Sequence, residues 1–128
     1  MSLRILLVDD NHTFLSAVRQ CLAMLPETEV VGQANDGPEA LRLAESLKPD
    51  LVLLDIVMPH MNGLEVAAQI QAWKNAPHIV FLSLHDNESY RAAARDLGVL
   101  AMVGKANFLT DLMPIISNLI SAQAKAAS

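Results

Sequence analysis

Asp55 ends the apolar run Leu51-Val52-Leu53-Leu54 and is followed by Ile56-Val57-Met58-Pro59-His60-Met61-Asn62-Gly63. Two further acids, Asp9 and Asp10, end an equivalent run, Ile5-Leu6-Leu7-Val8. If those runs are neighbouring parallel strands, three carboxylates converge on one point. Their repulsion either raises the pKa of one member or recruits a divalent cation that takes oxygen ligands. Two later apolar runs end in Ser83 and next to Lys105. Successive strand ends then carry two acids, one acid, a hydroxyl and an ammonium, which is an arrangement suited to phosphoryl transfer. A divalent cation and Lys105 would neutralise the phosphoryl oxygens, Ser83 would donate a hydrogen bond to one of them, and an oxygen of Asp55 would attack in line. Each residue alone has a plainer reading. A strand-end aspartate commonly forms a turn or caps a helix, and Asp10 could cap the first helix through the Asp-Asn-His-Thr turn. It is the placement of all of them on strand ends that singles out a site.

The elements that must position these residues are legible in the hydrophobic pattern. Short runs rich in Val, Ile and Leu at Arg4 to Val8, Glu29 to Ala34, Leu51 to Leu54, His78 to Leu84 and Ala101 to Val103 alternate with helical patterns. Continuous apolar runs between helices indicate parallel strands covered on both faces, joined by right-handed crossovers. The fold class is therefore doubly wound α/β, with five parallel strands and five helices, and the order expected for such a sheet is 2-1-3-4-5. In such sheets ligands bind outside the carboxyl ends of the strands, here between the first and third.

Helical spacing joins Phe14, Val18, Cys21, Leu22 and Leu25 in the first helix, with Cys21 and Met24 expected in the core or at the helix edge. Leu41, Ala44 and Leu47 share a face in the second, which Pro38 opens as a first-turn proline, and Val66, Ile70 and Trp73 repeat in the third. Asn87 should cap the fourth helix, with Tyr90, Ala94 and Leu97 inward and Gly98 stopping it. Leu109, Leu112, Ile116 and Leu119 line the fifth, where Pro114 should sit near the first turn or kink the helix.

At 128 residues the chain is one ordinary domain, and with 52% hydrophobic but only 4% aromatic residues its core is aliphatic. One cysteine, Cys21, permits no intramolecular disulfide, which fits a reducing, cytoplasmic setting. A net charge of −5, with nine Lys and Arg thinly spread, offers nucleic-acid backbones no basic patch. No apolar run approaches the ~20 residues of a membrane span. No Gly-x-Gly-x-x-Gly or P-loop pattern follows any strand, which weighs against a nucleotide or flavin fold. His12, His60, His78 and His85 lack metal-ligand spacing and read as turn or surface residues, His85 being the one that could overhang the pocket.

The pattern over residues 3 to 122 resembles the receiver domain of two-component response regulators. Asp9-Asp10 stand as the acidic pair, Asp55 as the phosphoacceptor, Ser83 as the hydroxyl residue and Lys105 as the lysine. Val31-Gly32-Gln33-Ala34-Asn35-Asp36-Gly37 and Ser83-Leu84-His85-Asp86-Asn87-Glu88 look most like the NarL/LuxR subfamily. The resemblance implies a flavodoxin-like fold, with residues 1–122 as receiver and 123–128 as a tail or the start of a linker. It implies magnesium or manganese held by Asp9, Asp10, Asp55 and the Val57 carbonyl, and a sensor histidine kinase as phosphate donor. It also implies a switch through Ser83 and Met102, homodimerisation on phosphorylation, and a transcriptional output reached through a DNA-binding domain outside these residues.

Two positions depart from the family pattern. Met102 stands where a switch aromatic is usual, and Ala106 follows the lysine where proline is common, so the Lys105–Ala106 peptide is expected to be trans. The competing readings are a metal-dependent aspartyl phosphatase of the haloacid dehalogenase type and a receiver-like interaction module that is never phosphorylated. The phosphatase family, however, uses an Asp-x-Asp pattern on its first strand, where this chain has adjacent acids.

Overall fold

The computed structural model describes residues 2–84 and 87–127, the side chain of Ala127 excepted. Strands β1 (Leu3–Val8), β2 (Thr28–Ala34), β3 (Leu51–Asp55), β4 (His78–Ser83) and β5 (Ala101–Gly104) alternate with helices α1 (His12–Ala23), α2 (Gly37–Leu47), α3 (Gly63–Gln71), α4 (Glu88–Leu97) and α5 (Phe108–Ala127). A single 3-10 turn, Lys105–Asn107, joins β5 to α5. The strands form one sheet in the order β2-β1-β3-β4-β5, with every neighbouring pair parallel. A one-residue shift between Ile5 and Leu6 passes over Val31 on the edge strand β2.

Strand alternation divides the core in two. Leu6, Val8, Val52, Leu54, Ile79 and Phe81 face one side, where they pack with Ala40 and Ala44 of α2, Val66 and Ile70 of α3 and Ala94 of α4. Ile5, Leu7, Leu51, Leu53, Val80, Leu82 and Val103 face the other, against Leu15, Val18 and Leu22 of α1 and Leu112 and Ile116 of α5. Continuing that alternation past the strand ends puts Asp9, Asp55 and Lys105 on the α1/α5 side, and Ser83 and Met102 on the α4 side.

Helix starts follow the sequence signals. The side chains of Asn11, Asp36, Asn62 and Asn87 accept from backbone N–H groups in the first turns of α1 to α4. Asn11, rather than Asp10, is thus the cap of α1, because its oxygen reaches the Phe14 N–H at 3.0 Å. Pro38 lies in the first turn of α2, as expected. Met24 follows α1 as its C-cap and is 80% exposed, so it takes no part in the core. Cys21 and Trp73 are half-buried, Trp73 just beyond α3. Leu109 is exposed rather than inward. Pro114 stands well inside α5 rather than in its first turn. That helix continues to Ala127, with Gln123 donating to Asp50 Oδ2 at 3.2 Å. Among the described residues no helix is long and apolar enough to cross a membrane.

Gly98 ends α4 with a φ of +72°, and a Cβ there would meet nothing nearer than Gln71 Nε2 at 3.9 Å. Gly98→Ala should therefore cost about 1 kcal/mol through conformation alone. Gly104 has φ −72° and open space around its Cβ direction, so Gly104→Ala should be neutral or add about 0.4–1 kcal/mol. Urea unfolding should show a lower midpoint for Gly98→Ala and an unchanged or higher one for Gly104→Ala. Equal shifts would show that backbone conformation does not govern these positions.

Candidate functional site

The strand register brings the reactive residues to one edge of the sheet. Val8 lies level with Leu54, Asp55 with Leu82 and Ser83 with Gly104, so Asp9, Asp55, Ser83 and Lys105 all cluster where the parallel strands end. Asp9, Asp55, Ser83 and Lys105 are the buried polar residues of the described chain, while Asp10 is exposed beside them. Carboxylate oxygens of Asp9, Asp10 and Asp55 lie within 4.8 Å of one another. The convergence expected from the two apolar runs is thus present.

Asp9 is held from two sides. Its Oδ1 accepts from the Asn11 N–H at 2.9 Å, and its Oδ2 lies 2.6 Å from Lys105 Nζ. Oδ2 is buried, so this short ion pair with the ammonium is shielded from water. Lys105 Nζ is also 3.4 Å from Asp55 Oδ2 and sits 4.8 Å from the centroid of the Phe14 ring. Phe108 meets that ring edge-on, with centroids 5.2 Å apart and planes at 73°. The Lys105–Ala106 peptide is trans, since no described peptide bond is cis.

The loop after Asp55 folds back tightly. The Gly63 N–H donates to the Ile56 carbonyl at 2.6 Å, and a Cβ on Gly63 would stand 2.2 Å from the Asp55 carbonyl oxygen. Only glycine allows α3 to begin so close to the acid. Val57, in the same loop, is 58% exposed, and Leu84, directly after Ser83, is also exposed. His60 carries a positive φ of 72°, and it, His12 and His78 are exposed; His85 lies outside the described residues. Met102 is half-buried and packs against the core on the α4 side, where it helps line a hollow of about 190 Å³ with Ala94, Val99 and Leu100. A larger groove, about 650 Å³, opens at the opposite edge of the sheet around Asp50 and Trp73, far from the acids.

Electrostatics single out Asp55. Burial, then the neighbouring Asp9 charge, pushes its carboxyl up from 3.8 to about 6, with Lys105 pulling the other way. One ammonium cannot balance three carboxylates, so the site keeps an excess of negative charge. An all-oxygen donor set this closely spaced fits a hard divalent cation.

Asn11, Phe14, Gly63 and Phe108 are the site residues that motif spacing did not single out. Phe14 and Phe108 are two of only five aromatics in the chain. Each lies within four residues of Asp10 or Lys105, a proximity that could have pointed to them.

The raised pKa has a pH consequence of definite sign. Between pH 3.8 and about 6 the folded protein holds the Asp55 proton more tightly than the unfolded chain, so this residue's contribution to stability is lost as pH rises through about 6. In metal-free buffer Asp55→Asn should therefore match the native protein near pH 4 and exceed it by up to about 3 kcal/mol above pH 6. Urea unfolding of the pair across that range checks this, and a difference that does not change with pH would refute it.

Comparison with known proteins agrees with the geometry. The profile of the response regulator receiver domain matches residues 5–117. The nitrate/nitrite response regulator protein NarL of Escherichia coli (strain K12) is 43% identical over 84 residues, covering 66% of this chain and 39% of that protein. The transcriptional regulatory protein PdtaR of Mycobacterium tuberculosis (strain H37Rv) is 39% identical over 121 residues, covering 92% of this chain and 57% of PdtaR. The chain thus spans well under two thirds of these relatives' lengths. A two-component response regulator of the LuxR family from Aurantimonas sp. SI85-9A1 superposes with a TM-score of 0.86 at 28% identity, covering 95% of this chain and 87% of that one. With the strand order, the acid cluster and the profile in agreement, the chain belongs to the response regulator receiver domain family.

Proposed function

We propose that this receiver takes a phosphoryl group on Asp55 from a sensor histidine kinase. The observation that carries the reading is the meeting of Asp55 with Asp9, Asp10 and Lys105 at the carboxyl edge of the sheet. An Asp55 oxygen forms a bond to phosphorus as the bond to the donor breaks, and the leaving group departs with the electron pair, so the product is an acyl phosphate. Lys105 is placed to follow the charge, since its ammonium already lies 3.4 Å from Asp55 Oδ2. Ser83 would donate to a phosphoryl oxygen from the next strand.

Magnesium or manganese would be held by Asp10, Asp55 and the Val57 carbonyl, with Asp9, already paired to Lys105, as an outer partner. When bound, the cation neutralises charge on the acceptor and on the transferring group. The phosphorylated residue carries up to two negative charges, about one more than the free carboxylate, which would draw Ser83 inward and repack Met102 against α4. The 190 Å³ hollow beside Met102 supports that repacking by offering space for a flexible thioether to move.

Signalling rather than turnover of a substrate is the role this supports, in the cytoplasm. The names of NarL and PdtaR favour transcriptional output, with DNA reached through another domain and homodimerisation following phosphorylation. A phosphatase using the first-strand acid is disfavoured, because Asp9 is wholly buried under Lys105 and committed to Asn11.

Incubation with acetyl phosphate should add one phosphate by intact mass when magnesium is present and none when it is chelated. Asp55→Asn should take no label; equal labelling of that variant would remove Asp55 as acceptor. The phosphoryl group should also be long-lived, because Val57, exposed at the mouth of the site, offers an attacking water no hydrogen bond. Val57→Asn or Val57→Glu should change the decay rate on the order of tenfold, about 1.4 kcal/mol in barrier, with magnesium affinity nearly unaltered. Native label lost within seconds, or a Val57 series without effect, would place control of hydrolysis elsewhere.

A further inference from the structure

We propose that Phe14 is a positioning residue for Lys105: its ring face, braced by Phe108, holds the ammonium between Asp9 and Asp55. The inference rests on the reading of Asp55 as phosphoryl acceptor and adds to it a residue outside the acid, hydroxyl and lysine set.

Lysine is a point charge on a flexible four-carbon stem. Left to the two carboxylates, the ammonium is drawn to Asp9, its nearer contact at 2.6 Å, rather than to Asp55 at 3.4 Å. The Phe14 ring, 4.8 Å from Nζ, gives it a third side. An aromatic face attracts a cation through its quadrupole but accepts no proton and carries no net charge. It can therefore guide the ammonium without neutralising it. Lys105 can then turn from Asp9 toward an arriving phosphoryl oxygen while keeping its ring contact.

The ring's own position is built, not incidental. Asn11 donates its N–H to Asp9 Oδ1 and accepts the Phe14 N–H on its side-chain oxygen, so one turn orients both the acid and the ring that grip the lysine. From the other side Phe108, three residues beyond Lys105, meets Phe14 edge-on at 5.2 Å. Both phenylalanines also pack against the α1/α5 core, so filling space is the role to be distinguished from positioning.

The test replaces the ring face while keeping an apolar side chain, and then restores the face. Phe14→Leu should lose the upfield ring-current shift of the Lys105 methylene protons next to Nζ, read by NMR in the unphosphorylated protein. It should accept phosphate from acetyl phosphate about three- to tenfold more slowly, with acetate leaving as the Asp55 acyl phosphate forms. Magnesium affinity should be unchanged. Phe14→Tyr, which keeps the face, should retain both the shift and the native rate. Should Phe14→Leu lose cooperative unfolding, the unbranched Phe14→Met carries the same comparison. A ring-free variant labelled at the native rate, Lys105 resonances that do not move, or a Tyr variant as slow as Leu would overturn the proposal. If the native protein takes no label, the acceptor reading fails, and the NMR comparison still decides whether the ring positions the lysine.

Discussion

One ammonium faces three carboxylates at the end of this sheet, and the geometry around it follows from that imbalance. At an effective dielectric near 20, two unit charges about 4 Å apart interact by roughly 4 kcal/mol, so the repulsion among Asp9, Asp10 and Asp55 is not a minor correction. Lys105 offsets most of it at Asp9, its closer partner, and much less at Asp55. Asp55 is consequently left buried, undercompensated and with a raised pKa. A group in that condition gains from anything that brings positive charge to it.

The core carries the cost of holding such a cluster. Both sheet faces are sealed by aliphatic side chains, and β3 is buried along its whole length, so Asp55 rides on a rigid strand rather than a loop. Local devices do the rest. The Asn11 cap that starts α1 also fixes Asp9, and the absence of a side chain at Gly63 lets α3 begin against the carbonyl of Asp55 itself. The helix starts and the site are thus the same pieces of chain, which ties the stability of the first turns to the geometry of the acids.

The two sheet faces divide the labour. Asp9, Asp55 and Lys105 continue the alternation of the side covered by α1 and α5, whereas Ser83 and Met102 belong to the side covered by α4. Under the proposed function, a change at Asp55 would therefore reach α4 through the next strand, across the sheet edge and not through a shared layer of side chains. Met102 is suited to follow such a change, being unbranched and adjoining open space, although it offers less defined rotamers than a ring would.

The alternation of strands and helices, the acid cluster and the helix cap at Asn87 were legible in the sequence because each has a local cause: apolar runs bounded by polar residues, or a side chain that bonds its own backbone. Reactive residues at strand ends were legible for the same reason, since parallel β–α units put every such end on one edge. What the sequence could not supply was the division of partners within the cluster. That Lys105 pairs first with Asp9, and that Phe14 from one helix, backed by Phe108 from another, covers the lysine, both depend on where α1 and α5 lie across the sheet. Met24 and Leu109 show the same limit from the other side, as helical spacing marked them apolar but only the packing of their helices left them in solvent. Periodicity determines which face a residue takes; contact between residues about ninety positions apart is decided only when the helices close over the sheet.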